Sequence, residues 1–179
     1  MNFPAIINGT GDARQKVAVA YGEGRLVESA MLESDDGLIW RKRALFQEIQ
    51  GNETAFQFEL DGSIIAISRR GGTTAQLLKS KHPYTRWERK DLDRFIGGPL
   101  LVRWGGRYVV GGRKSIGGKG PKTLMYWLVN DKLHEFAELP SGGDTSYPGM
   151  VLHGGLLWMT YYSSHEGGKT SIYLAKIKL

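Results

Sequence analysis

Polar residues of matched type recur at one spacing in this chain. Arg69 stands seven residues after Gly62, Arg113 seven after Gly106, and Tyr162 seven after Gly155. Two arginines at equivalent strand ends offer bidentate hydrogen bonds to a carboxylate. The other reading of both is a pair of solvated charges at strand ends. The stretch from Pro140 to Leu179 concentrates the remaining chemistry, with Asp144 and Tyr147 set among turn formers before an apolar run, Met150 to Leu152. This layout puts Tyr147 at the mouth of a strand. Glu53, beside Asn52, precedes another apolar strand.

The elements that must position these residues are short and glycine-punctuated. Among 179 residues there are 25 Gly, 8 Tyr and 5 Trp. That usage favours many short strands and no helix of note. Four times an apolar alternating run meets a Gly turn and a second apolar run. The copies are Val17–Tyr21, Gly22-Glu23-Gly24 and 25–32; Phe56–Leu60, Asp61-Gly62 and 63–68; Leu100–Val102, Gly105-Gly106 and 108–110; and the segment around Gly154-Gly155. Later strands are expected at Thr74–Leu78, Thr85–Glu88, Lys122–Val129 and Leu133–Phe136, and three strands follow Pro140. A period of roughly forty to fifty residues leaves room for four strands per unit and matches propeller blades. One such sheet cannot bury both faces alone, whereas stacked blades can. The reading is an all-β chain, a β-propeller of about four blades, with a β-sandwich as the alternative.

Composition narrows the partners. The net charge is +6 and the pI near 9.5. Yet Trp40-Arg41-Lys42-Arg43 and Arg86-Trp87-Glu88-Arg89-Lys90 are broken by aromatics and acids and carry no reader signature, so nucleic acid is not expected as a partner. With no cysteine there is neither a disulfide nor a thiolate metal site, and the compartment stays open. No stretch approaches the roughly 20 apolar residues of a membrane span, and the start lacks a signal peptide's basic and apolar regions. His82, His134, His153 and His165 show no metal spacing, so neither metal nor cofactor is expected. The run from Gly112 to Lys119 misses the phosphate-loop spacing and reads as a mobile hairpin loop. His165-Glu166 beside Ser163 and Ser164 has the composition of a hydrolase dyad, but a tip of Ser, Gly and Lys reads first as a hairpin turn.

Glu33-Ser34-Asp35-Asp36-Gly37-Leu38-Ile39-Trp40 resembles the Asp-box, S-x-D-x-G-x-T-W, of sialidase-type propellers, with Asp35, Gly37 and Trp40 matching. In that motif the Asp accepts turn amides, the Gly is left-handed and the Trp tucks between blades. Glu33 and Ile39 depart from it. Asn52-Glu53 with Asp61-Gly62 and Arg69, then Arg113 and Tyr147, are similar to the sialidase arrangement of a glutamate, substrate-binding arginines and a nucleophilic tyrosine. The phrases Ile96-Gly97-Gly98-Pro99 and Asp144-Thr145-Ser146-Tyr147-Pro148-Gly149, with Tyr161–Glu166, look closer to bacterial sialidase-like BNR-repeat proteins. The resemblance runs from about Val17 to Leu179.

This resemblance implies a propeller with an axial pocket for an anionic sugar such as sialic acid. Tyr147 and Glu53 would be its catalytic pair, and Arg69, Arg113, Asp144 and Tyr162 its substrate-binding residues. A phenol suits a retaining exo-sialidase because a carboxylate nucleophile would be repelled by the substrate's own carboxylate, and Glu53 would serve as its base. The third arginine and the acid/base aspartate of sialidases belong to N-terminal blades not matched here. The expectation is therefore one domain over 1–179, a partial six-bladed ring incomplete at its N-terminus and inactive alone, with self-association through open blade edges. The alternative is a non-catalytic carbohydrate-binding propeller.

Overall fold

Runs such as Ile64-Ile65-Ala66-Ile67-Ser68, apolar on consecutive residues, form strands only if both sheet faces are covered, and here all five side chains are buried. A computed structural model of the chain describes residues 28–115, 117 and 120–178, together with the backbone of two strands at 8–9 and 16–21. Fifteen strands appear among the described residues, in four antiparallel sheets. The first sheet is β1 (Asn8–Gly9), β2 (Lys16–Tyr21), β3 (Ser29–Ser34) and β4 (Arg41–Gln47). The second is β5 (Gly51–Phe58), β6 (Ile64–Arg70), β7 (Gln76–Ser80) and β8 (Glu88–Asp91). The third is β9 (Gly97–Trp104), β10 (Arg107–Ser115), β11 (Pro121–Val129) and β12 (Lys132–Glu138). The fourth has three strands, β13 (Thr145–His153), β14 (Leu156–Ser163) and β15 (Ser171–Ile177). Each sheet is an up-and-down meander whose strands neighbour one another in chain order, as the repeats require. The expected turn at Gly22-Glu23-Gly24 lies outside the described residues.

The sheets fall into two compact units, 1–91 and 92–179. In the first, Met31, Phe46, Phe56, Ile64, Ala66 and Leu78 form a buried cluster, with Phe58, Tyr84 and Trp87 packed against it. In the second, Val109, Met125 and Leu139 meet Leu157, Met159 and Tyr161, flanked by Trp104, Trp127 and Phe136. The hairpins close as their turn residues dictate. Gly105-Gly106 and Gly154-Gly155 all have positive φ, giving two-residue turns of the type that matches strand twist. Asn130-Asp131 adopts the same left-handed pair without glycine. The β5–β6 turn is longer, spanning residues 59–63, with Asp61 Oδ1 accepting the Ser63 amide at 2.9 Å. Among the described residues no helix is long and apolar enough to cross a membrane.

The β3–β4 turn corrects the sequence reading. The amides of Leu38 and Ile39 donate to Asp36 Oδ1 at 2.8 and 2.9 Å, and Gly37 N donates to Ser34 Oγ at 2.8 Å. The turn aspartate is Asp36, not Asp35, which is exposed and lies 3.9 Å from Arg41. Two adjacent aspartates precede Gly37, and pairing of Ser34 at the end of β3 brings the second one over the turn amides. Those amides, Ile39 first and Leu38 next, hold the Asp36 carboxyl below the ordinary carboxylate range. Gly37 is left-handed, and Trp40 Nε1 donates to Gly37 O at 3.2 Å, closing the hairpin.

Candidate functional site

Three hairpins carry the same irregularity at the same depth. Between β9 and β10, Gly97 pairs with Arg113 and Leu100 with Gly111, so Gly98-Pro99 oppose Gly112 alone. Between β13 and β14, Ser146 pairs with Tyr162 and Gly149 with Thr160, so Tyr147-Pro148 oppose Tyr161. Between β5 and β6, Gly51 pairs with Arg70 and Thr54 with Ser68, so Asn52-Glu53 oppose Arg69. Such two-for-one bulges bend a strand and re-aim its side chains. Every residue expected in the site from these hairpins lies in a bulge or next to one.

The registers correct one equivalence. The first paired residues after the turns are Ile64, Arg107 and Leu156, and the sixth beyond each is Arg70, Arg113 and Tyr162. Counting from the glycines matched Arg69 with Arg113, but the β5–β6 turn has five residues where the others have two, which shifts the match to Arg70. Tyr147 also moves, from the mouth of β13 into its bulge.

In the second unit four of the expected residues come together. Arg113 Nη1 donates to Asp144 Oδ1 at 3.3 Å, and Tyr162 Oη donates to the same oxygen at 2.8 Å. The Tyr147 ring stacks on Tyr162, with centroids 6.0 Å apart and planes 25° apart. Tyr147 is 52% exposed and has φ 49°, a left-handed conformation uncommon for a bulky residue. What holds it there is the close approach of β9. Ser146 Oγ donates to Gly97 O at 2.9 Å, and Gly98, itself at φ 52°, leaves no room for a Cβ, which would fall on Ser146 Oγ and 3.0 Å from the Tyr147 amide. The resulting surface offers a guanidinium, a carboxylate and two tyrosine rings side by side.

In the first unit Glu53, 8% exposed, accepts from Arg69 Nη1 with both carboxylate oxygens, at 3.1 and 3.0 Å. Arg69 Nε donates to Gly71 O at 3.2 Å, fixing the guanidinium. Arg70 makes a two-pronged pair with Asp91, 3.1 Å on each side, and Gln76 Nε2 donates to Asp91 Oδ1 at 2.7 Å. The Gln76 amide first, and Arg70 after it, hold the Asp91 carboxyl low. The sequence pointed to neither Arg70 nor Asp91, because their pairing joins β6 to β8 across an intervening strand.

The weaker candidates resolve into structural parts. Arg41, Lys42 and Arg43 face Asp35, Glu28 and Glu33 at 3.9, 3.6 and 3.5 Å. Of the run expected to be a loop, Gly112 to Ser115 belong to β10, while Ile116, Gly118 and Lys119 lie outside the described residues. His165 packs on Tyr173, centroids 4.5 Å apart, and its Nδ1 meets Ser163 Oγ at 2.9 Å. Ser163 is fully buried, so it serves the packing of the hairpin. Among the described residues no group of three His, Asp or Glu is arranged to hold a metal ion.

No protein-family model matches the chain, and no curated protein matches it in sequence. Solved structures do match in shape. A Bacteroides ovatus xyloglucan-locus GH43B protein superposes with TM-score 0.71 at 13% identity, over 100% of this chain and 39% of its own length. Phage phi92 endosialidase gives 0.71 at 11% identity, over 93% of this chain and 34% of that one. Trypanosoma rangeli sialidase gives 0.66 at 17% identity, over 89% and 28%. The chain thus spans about two fifths or less of these three neighbours. It has the β-propeller fold of glycosidases and sialidases, with four blades among the described residues.

Proposed function

We propose that this chain is a sialidase-like, glycoside-hydrolase-related propeller that recognises an anionic sugar, with the second unit supplying the contacts. The observation that carries this is the grouping of Arg113, Asp144, Tyr162 and Tyr147 around one bulge. Arg113 suits the sugar carboxylate, Asp144 suits its hydroxyl or amide donors, and the tyrosine rings suit its apolar face. In the hydrolytic form implied by the resemblance, Tyr147 is the nucleophile. Asp144 is engaged by Arg113 and Tyr162, and Glu53 by Arg69, so binding rather than turnover is the activity proposed here.

One observation favours a second reading. Arg113 is already paired with Asp144, which leaves the pair close to neutral and suited to a neutral sugar's diol. The GH43B neighbour, from a xyloglucan locus by its printed name, is consistent with that. Calorimetric titration with N-acetylneuraminate and with xylose, at low and high salt, separates the two. Binding of the acid alone, weakened by salt and lost in Arg113→Ala, supports the anionic reading. Salt-independent binding of xylose supports the neutral one, and no binding of either overturns both.

Self-association belongs to the same proposal. The three-stranded sheet ends at β15, where Ile172 and Leu174 are 77% and 62% exposed. An edge of this kind invites pairing with another chain.

A further inference from the structure

Residues 139–145 carry Asp144 to the site and are tied to the strands on either side. Tyr161 Oη donates to Pro140 O at 2.7 Å. Ser141 Oγ accepts the Thr123 amide at 2.9 Å and donates to Leu139 O at 2.8 Å, while Lys122 holds Ser141 O. At the far end Thr145 Oγ1 donates to Tyr162 O at 2.7 Å. Between these anchors the chain turns through Gly142 and Gly143 just before Asp144, and one side chain dominates that turn. Ser163 Oγ accepts the Gly142 amide at 3.0 Å, lies 3.1 Å from Gly142 O, and lies 2.9 Å from His165 Nδ1. Ser164 adds its amide to Gly142 O at 3.1 Å and its hydroxyl to Asp144 O at 3.3 Å.

A serine hydroxyl has one proton, so Ser163 cannot donate to Gly142 O and to His165 Nδ1 at once. When Nδ1 carries a hydrogen it donates to Ser163, and the hydroxyl proton goes to Gly142 O. All the contacts around Ser163, itself fully buried, are then satisfied together. The His165 ring is held for this by its packing on Tyr173, with Glu166 Oε1 3.8 Å from its Nε2.

We infer that Ser163, oriented by His165, is the positioning residue that sets where Asp144 stands in the sugar site. This rests on the reading of Asp144 as a ligand-binding residue. The tie explains why Ser163 is fully buried and why a histidine sits at an otherwise polar hairpin tip.

The test uses the full chain with His165→Phe, His165→Asn and Ser163→Ala. Phenylalanine keeps the ring on Tyr173 and removes Nδ1, whereas asparagine returns a polar atom near that place. Three quantities are read: the dissociation constant for N-acetylneuraminate or xylose, whichever the wild type binds; amide hydrogen exchange at Gly142 and Ser164; and the melting temperature. His165→Phe is expected to weaken binding and to speed Gly142 exchange by about fivefold each, the size of one neutral hydrogen bond. Its melting temperature should move by no more than about 4 °C, and His165→Asn should restore both other quantities. Ser163→Ala should reproduce the loss. Unchanged affinity and unchanged exchange in His165→Phe would overturn the inference. If the wild type binds neither sugar, the reading of the site has failed, and the exchange rates alone decide whether the tie exists.

Discussion

Arg69 engages both carboxylate oxygens of Glu53 through a single nitrogen, at 3.0 and 3.1 Å, within one blade. Both residues were candidates for sugar chemistry, and each is bound to the other. Removing the arginine takes this ion pair away from a carboxylate that is only 8% exposed. Arg69→Ala is therefore expected to cost about 2–3 kcal/mol of stability in urea denaturation. The double variant with Glu53→Ala should cost less than the two single losses added together. Strict additivity would show that the pair is not coupled.

At Tyr147 the backbone supplies the prediction. A left-handed residue with a Cβ costs roughly 1–2 kcal/mol relative to glycine. Tyr147→Gly should therefore be more stable than Tyr147→Ala by about 1 kcal/mol, while both lose sugar binding. Equal stabilities would mean that β9 does not impose the conformation.

Gly98 is the converse case. It has φ 52°, and a Cβ there would lie 3.0 Å from the Tyr147 amide and against Ser146 Oγ. Gly98→Ala should destabilise by more than about 2 kcal/mol, since strain and overpacking add. A loss below about 0.5 kcal/mol would show that the two strands part easily.

Alkali should unfold the second unit for an identifiable reason. Burial first, and Glu135 after it, push the Tyr126 phenol up to about 12, with Arg94 opposing from 5.0 Å over the ring. The fold keeps the phenol neutral, whereas the unfolded chain ionises near pH 10. This contribution is intact below pH 10 and is lost as pH rises toward 12, by up to about 1.4 kcal/mol per unit. Tyr126→Phe should flatten that slope at little cost at pH 7, because the hydroxyl makes no hydrogen bond of ordinary geometry. A slope unchanged in the variant would assign the alkaline loss elsewhere.

Association is expected at β15. Light scattering should show a mass that grows with concentration, and Ile172→Lys with Leu174→Lys should return the chain to a monomer by charging the exposed face. A wild type that stays monomeric across the range would remove the proposal.

The glycine repeats revealed the hairpins, and with them the meanders of the last three sheets, because each of these turns holds a left-handed glycine and sequence displays it openly. Strand limits were less visible. The segment Thr85–Glu88 was expected as a strand, but pairing starts at Glu88, since Trp87 goes to pack on Phe46 with centroids 4.9 Å apart. β4 was hidden because Arg41, Lys42 and Arg43 read as a charge stretch, although their acids sit in the turn, just before β3 and on β3. Counting put Arg113 and Tyr162 at one register position, while it missed Arg70 there by one residue, as it missed Asp36 in the β3–β4 turn. Bulges and turn lengths displace the count without marking the residue types, so periodicity locates such residues only to within one position.

The shared bulge separates two kinds of variation. At the tip of each hairpin, turns of two and of five residues coexist, yet Arg70, Arg113 and Tyr162 hold one depth beyond the first pair. A length change at the tip is confined by the paired ladder that follows it, and the far end does not register it. The blades therefore behave as cassettes: one end is free to drift in length, while the other retains its geometry and exchanges only the identity of the side chain presented there, cation in two blades and phenol in the third.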